Sequence, residues 1–522
     1  MTDAGSFALV VLLVATAGLV AVVSSRLTEW VKIPSPAIVL VGAAVAAQLF
    51  PVLRPTSEFT VERVVTVALL CILFDGGMHI GWSRFRKAAV PITIVGVLGT
   101  VLTVAAAAAL IHYAFGLEWY IAILLGTAIA PTDPAVVFSI LGKREVSGMS
   151  GTILEGESGA NDPVGIALMA SLIGAGALSA GAWGQVGGGF LLQMGVGAAV
   201  GLLGGRGLLW FMRKVTLASE GLYSLRTLAC AFILFGIATV AHGSGFLAVF
   251  IAGIVIGDEP APFKREIERF HGALASLGEI VAFLALGLTV DLGVISHGDV
   301  WIPGLILAVA VAFVIRPLLV GLCLIPSGLP LGQSAFVLFA GLKGAVPILL
   351  GSFLLVAHVP DAHRLHGIVV VVVVFSVVVQ GSLTPAVARW LHIPVRVIEP
   401  QPWALGVRLR EEPDGVHRLT VVKGSAADGQ SIQDLTEVSD EAWVSMVVRV
   451  GQLVPVRPST KLLAGDDVVI FAGPETRAEL VRAFGLEEVE GPDTGSVAAW
   501  GSRRRRRPKA GGADQASEDA AE

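Results

Sequence analysis

From Ser6 to about Trp390 the chain is a succession of long apolar runs separated by short polar segments. A run of about 17–25 apolar residues is long enough to cross a bilayer as a helix. By that measure roughly thirteen spans are predicted. They cover 6–25, 34–53, 63–80, 89–113, 118–141, 152–179, 185–211, 222–242, 244–257, 270–290, 300–325, 332–358 and 365–390. The pattern changes after Pro394. Residues 396–412 read as a connector with Pro400 and Pro402. Then Leu419–Lys423, Ala442–Val450 and Asp467–Phe471 are short β-branched runs between Gly and Asp turns, and Glu475–Phe484 reads as a closing helix. The predicted fold class is therefore an all-α polytopic membrane protein carrying a small α/β domain. The expected divisions are 1–394, a linker at 395–413, a domain at 414–488 and a tail at 489–522.

Composition sharpens this. The 522 residues are 54% hydrophobic and 15% charged, against about 25% charged for a soluble chain. The three cysteines, Cys71, Cys230 and Cys323, lie singly inside apolar runs, as small hydrophobes do. No CxxC or Cys/His cluster suggests a metal or redox centre. The start, Met1-Thr2-Asp3, has no basic region, so the first run reads as a retained helix. Basic residues fall mainly in alternate loops, at Arg26, Lys32, Arg84, Lys87, Lys143, Arg213, Lys214 and Arg265. Because cytoplasmic loops are the basic ones, the N-terminus is expected outside and the C-terminus in the cytoplasm. The run Arg503–Arg507 reads as a solvated tail, with contact to anionic lipid as the sharper alternative. Nothing points to nucleic acid.

Ionisable residues inside spans cost roughly 2.5–3.5 kcal/mol each on insertion scales, so they mark function by default. The fifth span holds Ala130-Pro131-Thr132-Asp133-Pro134. Its prolines interrupt the helical ladder and free carbonyls beside a carboxylate. The plainer reading is a kink in which Asp133 caps the following half-helix. The sixth span opens with Glu157-Ser158-Gly159-Ala160-Asn161-Asp162-Pro163. Glu157 and Ser158 precede Asn161 and Asp162 by about one helical turn, so the four share a face. Such oxygens suit a hard monovalent cation, and a carboxylate can hold that cation or a proton, one at a time. Arg316-Pro317 and Gly341-Leu342-Lys343-Gly344-Ala345-Val346-Pro347 place two cations in later spans, the second in another interrupted helix. The alternative is that both snorkel to a membrane face. Asp75 is a weaker candidate.

Thr132-Asp133-Pro134, Glu157 to Asp162 and Gly341 to Ala345 together resemble the monovalent cation:proton antiporters of the sodium/proton exchanger branch, over roughly 1–390. Gly424-Ser425, Arg449-Val450-Gly451 and Ala464-Gly465-Asp466-Asp467 resemble the TrkA-C domain. The combination is similar to bacterial potassium/proton antiporters of the cell-volume-regulation type. The resemblance implies a homodimer of thirteen-helix protomers, inverted repeats with two broken crossing helices, and a core bundle that moves elevator fashion. It implies that Asp162 is the ion- and proton-binding carboxylate, with Thr132, Asp133, Ser158 and Asn161 around it. It also implies that Glu157 pairs with Lys343, a position where these exchangers usually have Arg; Arg316, as a buried cation, is expected to draw on the same acids. Asn-Asp implies electroneutral exchange.

The expected activity is thus secondary exchange of K⁺ or Na⁺ for H⁺, without cofactor and without enzyme chemistry. No GxxxxGK[ST] phosphate loop occurs, and the C-terminal part has no GxGxxG, although a regulatory ligand there is open. A cation channel is the runner-up, without a TVGYG-like filter. An intramembrane protease built on Gly156-Glu157-Ser158-Gly159, with His242 or His358 as base, leaves Asp133, Asp162 and Lys343 unexplained.

Overall fold

The computed structural model describes Thr16, Gly18, Leu19 and residues 34–54, 57–141, 144–146, 148–177, 179–397, 416–434, 442–449, 452–473 and 477–485. The chain forms two units, residues 1–402 and 403–522. The first is helical. Among the described residues six continuous helical stretches are long and apolar enough to cross a membrane, and four shorter apolar helices accompany them. The expected first span, 6–25, lies almost wholly outside the described residues.

The helices follow the apolar runs closely. They are α1 (Ser35–Leu49), α2 (Glu58–Thr93), α3 (Thr100–Phe115), α4 (Trp119–Ile129), α5 (Pro134–Leu141), α6 (Gly148–Ala175), α7 (Ala180–Lys214), α8 (Glu220–Val240), α9 (Gly245–Gly257) and α10 (Lys264–Leu288). After them come α11 (Gly298–Ala310), α12 (Leu331–Phe339), α13 (Ala345–Val356), α14 (Ala362–Phe375) and α15 (Gly381–Trp390). Helix α2 overruns the predicted third span, but Gly81 interrupts it at φ 65°, where that span was expected to end. Three π-helical segments, Ile94–Gly99, Val311–Val320 and Ser376–Gln380, join helices end to end. The extra residue in each turn of such a segment re-aims side chains, a common device at functional sites.

Helix α9, the short ninth run, is buried between α2 and α7. Its glycines explain how. A Cβ at Gly253 would strike the Phe74 carbonyl, one at Gly257 the Met78 carbonyl, and one at Gly77 the Phe250 carbonyl. Only glycine lets two backbones approach this closely, the small-xxx-small packing of membrane helices.

The connector expected at 396–412 begins as a strand. Val395–Val397 (β2) pairs antiparallel with Arg144–Val146 (β1), and residues 398–415 lie outside the described ones. The second unit is a four-stranded antiparallel sheet, β3 (Val416–Thr420), β4 (Trp443–Arg449), β5 (Gln452–Val454) and β6 (Asp467–Phe471), in the order β3-β6-β4-β5. Helix α16 (Arg477–Ala483) closes it, and Val444, Val447, Val468, Ile470, Leu480 and Phe484 fill its core. Strand β5 is too short and too exposed to register as an apolar run.

Candidate functional site

Two helices of the first unit are broken, and the breaks meet. Helices α4 and α5 have 11 and 8 residues, and α12 and α13 have 9 and 12. At 1.5 Å per residue none of the four crosses a hydrocarbon core of about 30 Å alone. Proline makes the first break: Pro131 and Pro134 offer no N–H, so the Ala130 carbonyl has no donor at the position four residues on. Pro134 then starts α5, where the absent N–H costs nothing. Pro347 sits in the first turn of α13 for the same reason. The two breaks are tied together by the Asp133 N–H, which donates to the Leu342 carbonyl at 2.7 Å.

Glycine makes that crossing possible. A Cβ at Gly344 would overlap the Asp133 carboxylate, and one at Gly341 the Arg316 guanidinium. The two glycines flanking Leu342-Lys343 thus leave room for one anion and one cation.

Helix α6 supplies the remaining groups. Asn161 donates from Nδ2 to Thr132 Oγ1 at 2.7 Å and accepts the Thr132 N–H at 3.4 Å. Asp162, next in sequence, is 6% exposed, and its Oδ1 is buried and accepts no hydrogen bond among the described residues. It lies within electrostatic reach of Asp133 and Lys343. Ser158 is buried one turn before Asp162 on the same helix. Pro163 adds a further acceptor, because it has no N–H for the Gly159 carbonyl.

The charges pair differently from what the resemblance implies. Glu157 meets Arg316, not Lys343: Nη1 lies 2.7 Å from Oε1 and Nη2 2.9 Å from Oε2, with both side chains buried. Arg316 also donates from Nε to the Leu338 carbonyl at 2.9 Å. Its planar fork suits a bidentate carboxylate. Lys343 instead directs Nζ to the Ala130 carbonyl at 2.7 Å. That carbonyl ends α4 and lost its donor to Pro134, so a point charge at this helix C-terminus answers both the bare acceptor and the dipole. Both cations are 4% exposed, so neither snorkels to a face.

Thr132, Asp133, Asn161, Asp162 and Lys343 therefore come together, with Glu157 and Arg316 as an adjoining buried pair. Asp75 sits on α2 beside His79, with Oδ2 3.4 Å from Nδ1. Sequence reasoning passed over Glu279. It lies on α10 within electrostatic reach of Asp133, and its Oε1 is buried without a hydrogen bond among the described residues. An acid inside the apolar 270–290 run was the available signal. The protease arrangement is not formed, since His242 and His358 are exposed at helix ends while Ser158 is buried within α6.

An orphaned carboxylate oxygen, a second carboxylate, a hydroxyl and an amide thus meet where two broken helices cross, an arrangement of the kind that lines ion sites in transporters. The chain matches the family described as "Sodium/hydrogen exchanger, transmembrane" over residues 10–390 and the TrkA-C domain over 416–485. It is 35% identical to the K(+)/H(+) antiporter NhaP of Alkalimonas amylolytica, over 78% of this chain and 71% of that one. It is 30% identical to the K(+)/H(+) antiporter NhaP2 of Shewanella oneidensis, over 84% of this chain and 76% of that one. The sodium proton antiporter MjNhaP1 of Methanocaldococcus jannaschii shares the fold, with TM-score 0.63 and 20% identity over 74% of this chain and 99% of that one. This chain belongs to the sodium/hydrogen exchanger family, a multi-pass monovalent cation/proton antiporter with a C-terminal TrkA-C domain.

Proposed function

We propose that the protein exchanges K⁺, in preference to Na⁺, for H⁺, and that Asp162 holds each ion in turn. The observation that carries this is the bare Oδ1 of Asp162, buried within electrostatic reach of Asp133. A proton on Asp162 neutralises it. A dehydrated cation does the same, with Asp133, Thr132, Ser158 and Asn161 supplying or orienting further oxygens. Since one carboxylate cannot carry both, each inward passage of one ion requires release of the other. The potassium preference rests on the two relatives named for it and on the TrkA-C domain.

The same reading takes the chain as a homodimer of thirteen-helix protomers with inverted repeats, its C-terminus in the cytoplasm. The alternate basic loops support the orientation. The paired breaks and the π-helical segments before each of them support the repeat. Residues 1–394 form the transport domain, 395–413 the linker and 414–488 a regulatory domain that biases transport when it binds its ligand, with 489–522 as tail. Proteoliposomes with an interior pH dye test the ion. After a proton gradient is imposed, KCl collapses it at lower concentration than NaCl, and choline chloride leaves it intact. Collapse by NaCl alone would overturn the potassium assignment.

A further inference from the structure

A broken helix leaves two sets of buried backbone groups without partners, the carbonyls ending its first half and the amides starting its second. At the second break, one helix answers both. Gln380 Nε2 donates to the Phe339 carbonyl, the last residue of α12, at 2.6 Å. Ser376 Oγ accepts the Lys343 N–H at 2.9 Å, just before α13 begins. The two side chains are joined, because the Ser376 hydroxyl donates to Gln380 Oε1 at 3.0 Å. Ser376 and Gln380 begin and end the π-helical segment between α14 and α15, and both are buried. They border a small cavity of about 10 Å³ that also touches Arg316, Gly341 and Lys343. That is about the lower limit for one water, so the cavity is no ion passage.

The first break has a counterpart. Asn161 grips Thr132 from 29 residues further along the chain, and Ser376 grips Lys343 from 33 residues further along. In each half the next long helix sends a polar side chain back to hold the break. The half that contains Asp162 holds its break with the amide next to that carboxylate. The other half holds its break with Ser376 and Gln380, which have no acid beside them in sequence, and the hold is transmitted. Leu342 accepts the Asp133 N–H, and Lys343 reaches Ala130 from the same dipeptide.

We propose that Ser376 and Gln380 are positioning residues for cation binding: they fix Leu342-Lys343, and through it the Asp133 backbone that carries the carboxylate and the Ala130 carbonyl just after α4. The proposal rests on the reading in which Asp133 and Asp162 hold the cation. Serine is required for its chemistry, since the hydroxyl donates to Gln380 and accepts from Lys343 at once. Threonine can do both, and alanine neither. Loss of the clamp loosens the bound geometry, so it raises KM more than it lowers kcat.

The test is initial exchange rate against cation concentration in proteoliposomes, for wild type, Ser376→Ala, Ser376→Thr, Gln380→Met and Asp162→Asn. Ser376→Ala and Gln380→Met are expected to raise KM about tenfold, the equivalent of roughly 1.4 kcal/mol, with a smaller change in kcat. Ser376→Thr is expected to stay within about twofold of wild type. Gln380→Met keeps side-chain length and carries the test if Ser376→Ala does not insert. Wild-type KM in both disruptive variants, or equal impairment by Ser376→Thr and Ser376→Ala, would overturn the clamp. The Asp162→Asn arm is independent: wild-type exchange there sinks the site reading whatever the clamp variants do.

Discussion

Five charged side chains, Asp133, Glu157, Asp162, Arg316 and Lys343, lie near the crossing, and their geometry separates them. Glu157 and Arg316 are mutually satisfied, with two short hydrogen bonds and little exposure. Asp162 has an oxygen left over. A group whose partners are already in place cannot change partners cheaply, which is why the proposed function has the pair brace the site and Asp162 exchange. Removing one member of a buried pair typically costs about 3–5 kcal/mol, whereas replacing both with apolar groups is often neutral. Glu157→Gln is therefore expected to lower the melting temperature in detergent. The double variant Glu157→Leu with Arg316→Met should recover most of the loss. A single variant as stable as wild type would show that the pair carries no structural weight. That Glu157, Asp162, Arg316 and Lys343 are buried charges was legible from the sequence, because charges in apolar runs stand out, although Glu279 in the 270–290 run was passed over. Who pairs with whom was not legible. Glu157 and Lys343 sit in motifs that read as complementary, yet the partner is set by where α4 ends and by the reach of the π-helical segment carrying Arg316.

At the level of elements, the apolar runs foretold the described helices well, including the short one at 244–257, which is α9. Both breaks were foreseen from proline and glycine. Their crossing was not, since contact between residues 133 and 342 leaves no local trace in the sequence. The glycines carry that contact. Gly344→Ala would set a methyl against the Asp133 carboxylate. Overpacking costs about 1–3 kcal/mol, which amounts to roughly 5- to 150-fold in affinity if the site bears it. Exchange assays should show a raised cation KM of that order, and an unchanged KM would mean that the crossing relaxes elsewhere. The fourth strand, β5, escaped notice because its three residues present no apolar run.

The whole molecule joins a membrane unit to a small C-terminal sheet unit, and the sheet unit has its own lock. Arg449 grips Asp466 with two hydrogen bonds of 2.8 Å, and the Leu463 N–H adds a third to the same carboxylate. The Arg449 hydrogen bond holds the Asp466 carboxyl below its ordinary value of 3.8. Its folded pKa is depressed, so its contribution to stability is present above about pH 4 and is lost as the pH falls through the lower folded value. Asp466→Asn should remove about 1.5–3 kcal/mol at neutral pH. Hydrogen exchange on the full chain would then show reduced protection in β4 and β6 at pH 7, with the difference from wild type narrowing in acid. Equal protection at pH 7 would contradict the lock. In the proposed transport cycle, one carboxylate trades a proton for a cation. The direct measurement is proton release from purified protein in a weakly buffered detergent solution on adding KCl, for wild type and Asp162→Asn. Release is expected from wild type at a pH where Asp162 is protonated, and none from the variant. Equal release from both would place the exchange on another group and contradict that cycle.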